Sequence, residues 1–277
     1  MLPRLPLPFL PHRSPLEGRV VLVTGASSGI GEAVAIACAA RGAQVLLVAR
    51  RADELERVAA EIREKGGSAT TYALDLTDAE AVDALVKQVN TEQGGVDYLV
   101  NNAGRSIRRS IELSYDRFHD VERTMAINYF GPVRLTMGLL PGMRERHFGH
   151  VVNIVTWGVT LKAPKFSAYI ASKTALDTWS RVVARETRGD NVTFTNVRMS
   201  LVQTPMTAPT KVYRGKGYTV EEATAMVMDA LERRPLTVQT AVGRVGQLAE
   251  VFIPNTFEAV VAQVSRMFPD SEAAKRR

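Results

Sequence analysis

Tyr169 and Lys173 stand four residues apart in the segment Tyr-Ile-Ala-Ser-Lys. On a helix that spacing sets a phenol and an ammonium on one face, one turn apart. A free phenol titrates near ~10 and holds its proton too firmly to donate it well, whereas a neighbouring cation favours the phenolate and lowers that value. The pair therefore reads as a proton donor to a carbonyl that is receiving a hydride. Thr156 lies thirteen residues before the tyrosine and ends the apolar run 151–155, so its hydroxyl would leave a strand tip and meet the same substrate oxygen. Tyr and Lys also fall four apart by chance on many helix surfaces. The surrounding elements decide what the pair means.

Those elements alternate. From residue 20, short β-branched runs at 20–24, 44–48, 69–73, 98–101, 151–155 and 193–198 are separated by helical patterns at 29–41, 53–65, 78–92, 114–146 and 167–188. This rhythm predicts an α/β chain, a Rossmann-type doubly wound parallel sheet with crossover helices on both faces, in a single domain. The domain is expected over 16–240, after a Pro-rich N-terminal arm at 1–15 and before a C-terminal helical tail at 241–277. Residues 199–218 form a polar, Pro- and Gly-containing stretch that leads into a helix at 220–233. Long loops in compact domains are usually functional, and 199–234 is read as a substrate lid. In the tail, Phe257, Val260, Val261, Val264 and Phe268 share one face of a helix at 255–268, which favours packing on the body or on a second subunit over a peripheral membrane contact.

Bulk properties narrow the classes. A chain of 277 residues with 45% hydrophobic and 23% charged content can bury a substantial core. Its single cysteine, Cys38, lies in an apolar helical stretch, so no disulfide framework or cysteine metal site can form within the chain. His12, His119, His147 and His150 lack ligand spacing, and no metal is expected. A reduced, cytoplasmic setting is the expectation. The start alternates leucine with proline and reads as an extended arm, neither signal peptide nor membrane span. The net charge of +6 is dispersed apart from Arg50-Arg51 and Lys275-Arg276-Arg277. Without a basic stripe interleaved with aromatics, nucleic acid is not an expected partner, while a mild positive field suits phosphate-bearing small ligands.

One loop fits such a ligand. Thr24-Gly25-Ala26-Ser27-Ser28-Gly29-Ile30-Gly31 closes the first strand and opens the first helix, where glycines permit close backbone approach and the helix N-terminus offers unpaired N–H groups to a pyrophosphate. The second strand ends Val48-Ala49-Arg50-Arg51, with alanine where an acid would bind the adenosine ribose. Guanidinium forks suit a 2′-phosphate, so NADP(H) is favoured over NAD(H). Asp75 follows the third strand, placed to accept from the adenine amine, and Asn101-Asn102-Ala103-Gly104 ends the fourth, where ligands of open α/β sheets bind.

In order and spacing, segment 24–31, Asp75, segment 101–104, Asn128 and segment 169–173 resemble the short-chain dehydrogenase/reductase family, over about residues 16–234. The resemblance implies that Tyr169 is the general acid/base, that Lys173 holds the nicotinamide ribose while lowering the phenol's pKa, and that Asn128 positions a relay water. It implies cofactor contacts at Gly25, Ser27, Ser28, Gly29, Ile30, Gly31, Arg50, Arg51, Asp75, Leu76, Asn102, Ala103, Gly104, Tyr169, Lys173, Val202 and Thr204, the last facing the carboxamide. Two positions depart from the family pattern. Thr156 stands where serine is usual, keeping the hydroxyl but restricting χ1, and Met199-Ser200 stands where Pro-Gly is usual.

A narrower resemblance runs through segments 104–110, 116–120, 128–131 and 201–210, and it is to bacterial fatty acyl-CoA reductases of the same fold. It implies NADPH-dependent reduction of a long-chain acyl-CoA to the aldehyde, with Arg105, Arg108 and Arg109 drawing CoA phosphates. Three readings stay open: a reductase of fatty acyl-CoA or fatty aldehyde, a ketone or secondary-alcohol dehydrogenase acting on a 3-oxoacyl, steroid or other lipid carbonyl, and a non-catalytic dinucleotide-binding module. The expected partner is a lipid-like small molecule, with no transmembrane segment and a homodimer or homotetramer as the assembly.

Overall fold

The computed structural model describes residues 14–207, 215–266, 270 and 274, without the side chain of residue 242. Expectations for residues 1–13, including His12, for 208–214, for Phe268 and for Lys275, Arg276 and Arg277 lie outside the described residues.

The first half of the chain runs β1 (Val20–Thr24), α1 (Gly29–Ala39), β2 (Gln44–Ala49), α2 (Ala52–Glu64), β3 (Ser68–Ala73), α3 (Ala79–Gln93) and β4 (Tyr98–Asn101). A 3₁₀ turn at Ile111–Leu113 leads into α4 (Phe118–Met125), a π turn (Ala126–Phe130) and α5 (Gly131–Glu145). Then follow β5 (Gly149–Thr156), α6 (Gly158–Leu161), α7 (Ser167–Glu186), β6 (Val192–Met199), α8 (Val220–Arg233), β7 (Thr237–Gln239), α9 (Ala241–Phe252) and α10 (Pro254–Arg266).

The seven strands form one parallel sheet in the order β3-β2-β1-β4-β5-β6-β7. Order reverses at β1, whose neighbours are β2 on one side and β4 on the other, and that split opens a crevice at the strands' carboxyl ends. Both faces are covered, so the central strands read as continuous apolar runs. Val21, Val23, Val45 and Leu47 pack on the side of α1, α2 and α8, while Leu22, Leu46, Val48 and Leu99 pack on the side of α3 and α5. No helix among the described residues is long and apolar enough to cross a membrane.

The single helix expected over 114–146 is two helices joined by the π turn. Pro132 supplies the reason: it lacks the N–H that an unbroken α register would require, and a register shift just before it removes that demand. The shift turns Asn128 fully inward. The expected lid also needs correction. Its second part, α8, begins at a Thr219/Glu222 capping box and buries Ala223, Val227, Met228, Ala230 and Leu231 against α1. It is the crossover between β6 and β7, a parallel strand too short at three residues to show in the pattern. In the tail, α9 packs on α6, and Val260 and Val264 of α10 are exposed rather than covered.

Candidate active site

The turn after β1 is built around close contacts. Gly25 and Gly29 have φ of +66° and +61°, conformations that favour glycine, and a Cβ on Gly31 would collide with Gly25 O and Asn102 Nδ2. Thr24 locks this turn to the end of β4. Its Oγ1 accepts from the N–H groups of Asn102 and Ala103, each at 3.0 Å, and Asn102 Nδ2 donates to Thr24 O at 2.9 Å. Asn102 and Ala103 thus shape the turn. Ser28 precedes α1 without using its side chain as a cap, so the helix N-terminus with Ile30 and Gly31 points into the crevice with its orphan N–H groups. A pyrophosphate fits this cradle.

At the adenosine end, Arg50 is 68% exposed and its Nη1 lies 3.6 Å from Asp75 Oδ2. Burial pushes the Asp75 carboxyl up, but hydrogen bonds from the Thr77 N–H and hydroxyl, together with Arg50, win and hold it below the ordinary aspartate value. Arg51 instead donates to Ser27 O and Oγ, at 3.2 and 3.1 Å, bracing the turn. Leu76 and Val202 are core residues, 4% and 6% exposed. Thr204 stands across from the turn, its Cγ2 3.6 Å from where a Cβ on Gly29 would be.

The side chains expected to face a carbonyl come from β5 and α7. Lys173 Nζ donates to Ile154 O at 2.8 Å, and burial pushes its pKa down to about 8. The phenol of Tyr169 is hydrogen-bonded to the Thr156 hydroxyl, whose Oγ1 also accepts from Gly158 N at 3.1 Å. Thr156 therefore meets the phenol with its hydroxyl. The expected lowering of the phenol's pKa is corrected. Burial pushes Tyr169 up to about 12 against the opposing pull of Thr156, and Lys173 turns its ammonium to a main-chain oxygen. With the protein's own groups alone, tyrosine keeps its proton.

Asn128 serves as a tie. Its Nδ2 donates to Arg105 O at 2.8 Å and to Ser172 Oγ at 3.0 Å, its Oδ1 accepts from Arg105 N at 2.8 Å, and Ser172 Oγ donates to Tyr169 O at 2.7 Å. Its side chain fixes the β4 loop to the helix of Tyr169 and Lys173. Gly104 sits at the junction, since a Cβ there would be 2.9 Å from Asn128 Oδ1 and 3.3 Å from Lys173 Nζ.

Behind the site runs a buried polar chain that sequence reading missed. Asn101, Asn153 and Asn196 lie side by side on β4, β5 and β6. Asn101 Nδ2 donates to Asn153 Oδ1 at 2.9 Å, Asn153 Nδ2 donates to Asn196 Oδ1 at 3.1 Å, and Asn196 Nδ2 donates to Asp177 O at 3.1 Å. The Asp177 carboxylate takes a bidentate pair from Arg198, at 3.1 and 2.9 Å, with both side chains under 10% exposed. Asp177 follows Tyr169 and Lys173 at four-residue steps, so the face they share was the available signal.

This combination of a glycine turn at a sheet switch point with Tyr169, Lys173 and Thr156 at the strand ends has a counterpart. The family model for short chain dehydrogenase matches residues 19–213. The chain belongs to the short-chain dehydrogenases. An uncharacterised oxidoreductase of Mycobacterium tuberculosis is 48% identical over 264 residues, spanning 94% of this chain and 77% of that protein. A fatty acyl-CoA reductase of Acinetobacter baylyi is 45% identical over 263 residues, spanning 95% of this chain and 89% of that protein. Among solved structures, a short-chain dehydrogenase from Streptomyces avermitilis superposes with a TM-score of 0.77 at 32% identity, covering 92% of this chain and all of that one. This short-chain dehydrogenase is an oxidoreductase of the NAD(P)-dependent class, which sets aside the non-catalytic reading.

Proposed function

We propose that this short-chain dehydrogenase reduces the carbonyl of a long-chain fatty acyl-CoA or fatty aldehyde with NADPH. The observation that carries the reading is a proton-holding Tyr169 joined to Thr156 opposite the glycine cradle, in a chain closely similar along its length to a fatty acyl-CoA reductase. The residues suit the cofactor: the glycine turn leaves its backbone open to a pyrophosphate, and the exposed guanidinium of Arg50 at the end of β2 supports a 2′-phosphate reading. When bound, NADPH supplies the hydride.

The chain's own groups do the rest. Thr156 and Tyr169 both reach one carbonyl oxygen, and Tyr169 Oη releases its proton to that oxygen as charge develops. The Thr156 hydroxyl, which favours the charged form of Tyr169, steadies the resulting phenolate, while Lys173 stays held on Ile154 O. For a thioester, addition of hydride and proton leaves a hemithioacetal, whose collapse breaks the C–S bond and gives aldehyde and thiol. Cys38 takes no part: burial pushes its thiol up to about 12, within contact of Met228 at 3.9 Å. Two copies pair through the face that exposes Phe130, Met137 and Val182, in keeping with the assemblies usual in the family.

The test follows NADPH oxidation with palmitoyl-CoA, hexadecanal and a 3-oxoacyl thioester in parallel, with NADH as comparison. Turnover of the first two with NADPH is expected. Turnover confined to the 3-oxoacyl substrate would overturn the acyl-CoA reading in favour of a ketone reductase.

A further inference from the structure

Trp179 and Val183 of α7 pack on the core cluster that holds Val151 of β5 and Phe194 of β6. Apolar contacts have no preferred direction, so they seat a helix on a sheet more firmly than they fix its slide along its own axis. Proton transfer by Tyr169 is sensitive to that slide, because one residue of helical rise is ~1.5 Å, enough to part the Tyr169 and Thr156 hydroxyls. Two directional ties, one turn apart on the same face, hold α7 against it. Lys173 Nζ reaches β5 at Ile154 O, at 2.8 Å. Four residues on, Asp177 reaches β6: its carboxylate takes Arg198 Nε and Nη2 at 3.1 and 2.9 Å, and its carbonyl accepts from Asn196 Nδ2 at 3.1 Å and Ser180 Oγ at 3.0 Å. A guanidinium fork on a carboxylate fixes angle as well as distance. The far end of the pair also bears on the site. Arg198 lies opposite Val155, and Met199, the next residue, lies opposite Thr156 and accepts from Trp157 N at 2.9 Å. The chain then runs through Val202 to Thr204, beside the Gly29 turn.

Stability gives no reason for charges at this place. The Arg198 and Asp177 side chains are 6% and 8% exposed, and the desolvation of such a pair offsets its attraction, so that well-packed apolar side chains of similar volume hold a fold as well or better. We propose that Asp177 and Arg198 are positioning residues for the reaction: their pair sets the axial position of α7, so that Tyr169 Oη meets the Thr156 hydroxyl and a carbonyl oxygen together. The proposal rests on the catalytic reading of Tyr169 and holds for whichever carbonyl substrate that residue serves.

The test separates stability from turnover. Asp177→Val combined with Arg198→Met removes both charges and leaves an apolar interior, whereas Arg198→Lys keeps the charge without the fork. Urea unfolding, NADPH binding by fluorescence, and kcat with palmitoyl-CoA, hexadecanal and a 3-oxoacyl thioester are measured on each, under conditions where circular dichroism shows the protein folded. The double variant is expected to keep the wild-type unfolding midpoint or exceed it, and to bind NADPH within about twofold of wild type. Its kcat is nevertheless expected to fall by about ten- to a hundredfold on every substrate that wild type reduces, the effect of a displacement near 1 Å. A smaller loss is expected for Arg198→Lys, which carries the comparison alone should the double variant not fold. Wild-type kcat in the substituted protein overturns the proposal, and so does a kcat that falls only in step with NADPH affinity. Turnover of the 3-oxoacyl thioester alone sinks the acyl-CoA reading and leaves the pair to be judged on that substrate. If wild type reduces none of the three, the acyl-CoA reading falls and amide exchange over 154–157 and 169–173 decides: faster exchange in the substituted protein supports the pair, and unaltered exchange overturns it.

Discussion

Tyr169 combines two properties that pull in opposite directions. Burial keeps its proton, which suits reduction, while Thr156 favours the charge left behind. Tyr169→Phe should therefore lower kcat by about 10²- to 10⁴-fold while NADPH still binds, as judged by cofactor fluorescence; a smaller loss would mean another group supplies the proton. Thr156→Ser keeps the hydroxyl and should retain most activity, whereas Thr156→Val should lower kcat at least about tenfold. At the adenosine end, Arg50→Asp should shift the kcat/KM ratio from NADPH toward NADH by about tenfold or more, and an unchanged ratio would remove Arg50 from phosphate recognition. At this scale the shared helical face of Tyr169 and Lys173 was legible because helical spacing depends on nothing distant. The direction of the phenol's pKa was not legible. It depends on how deeply α7 is covered and on Lys173 reaching Ile154 O, and both are products of tertiary packing.

Between elements, polar ties add to the apolar packing of Leu176, Trp179 and Val183 in setting the position of α7. The row Asn101-Asn153-Asn196 reaches Asp177, and the Arg198 pair secures β6 immediately before the Met199 position where the chain departs from the family. Asp177→Ala leaves a buried guanidinium uncompensated and should cost about 3–5 kcal/mol in urea unfolding, much of it recovered when Arg198 is also replaced by Met. His150 joins β5 to α8 through Ala230 O at 3.1 Å, and burial, with Arg234 adding to it, pushes its pKa from 6.5 to about 3. Between those values the unfolded chain binds a proton that the folded one refuses. This contribution to stability is thus full above pH 6.5 and lost as pH falls toward 3. His150→Gln should flatten that part of a plot of unfolding midpoint against pH, and an unaltered slope would assign it to other groups. The six long strands were legible from β-branched runs bounded by turns. The helix at 220–233 was legible too, but the π turn and the role of α8 as a crossover were not, because one depends on a single missing N–H at Pro132 and the other on β7 being there to receive it.

For the molecule as a whole, the exposed Phe130, Met137 and Val182 argue for an assembly of copies. Light scattering should report a dimer or larger, shifted to monomer by Met137→Asp, and a wild-type monomer would refute the pairing face. Sheet order has a consequence of another kind. β1 emerges first from the ribosome and pairs early with β2, yet its other neighbour waits for Tyr98 of β4, and β5 waits for β6 in turn. Until residue 98 is made, β1 is an open edge carrying Val21, Leu22 and Val23, an invitation to any other nascent chain. A strand paired on both sides in the finished enzyme is thus a bare edge for part of its synthesis.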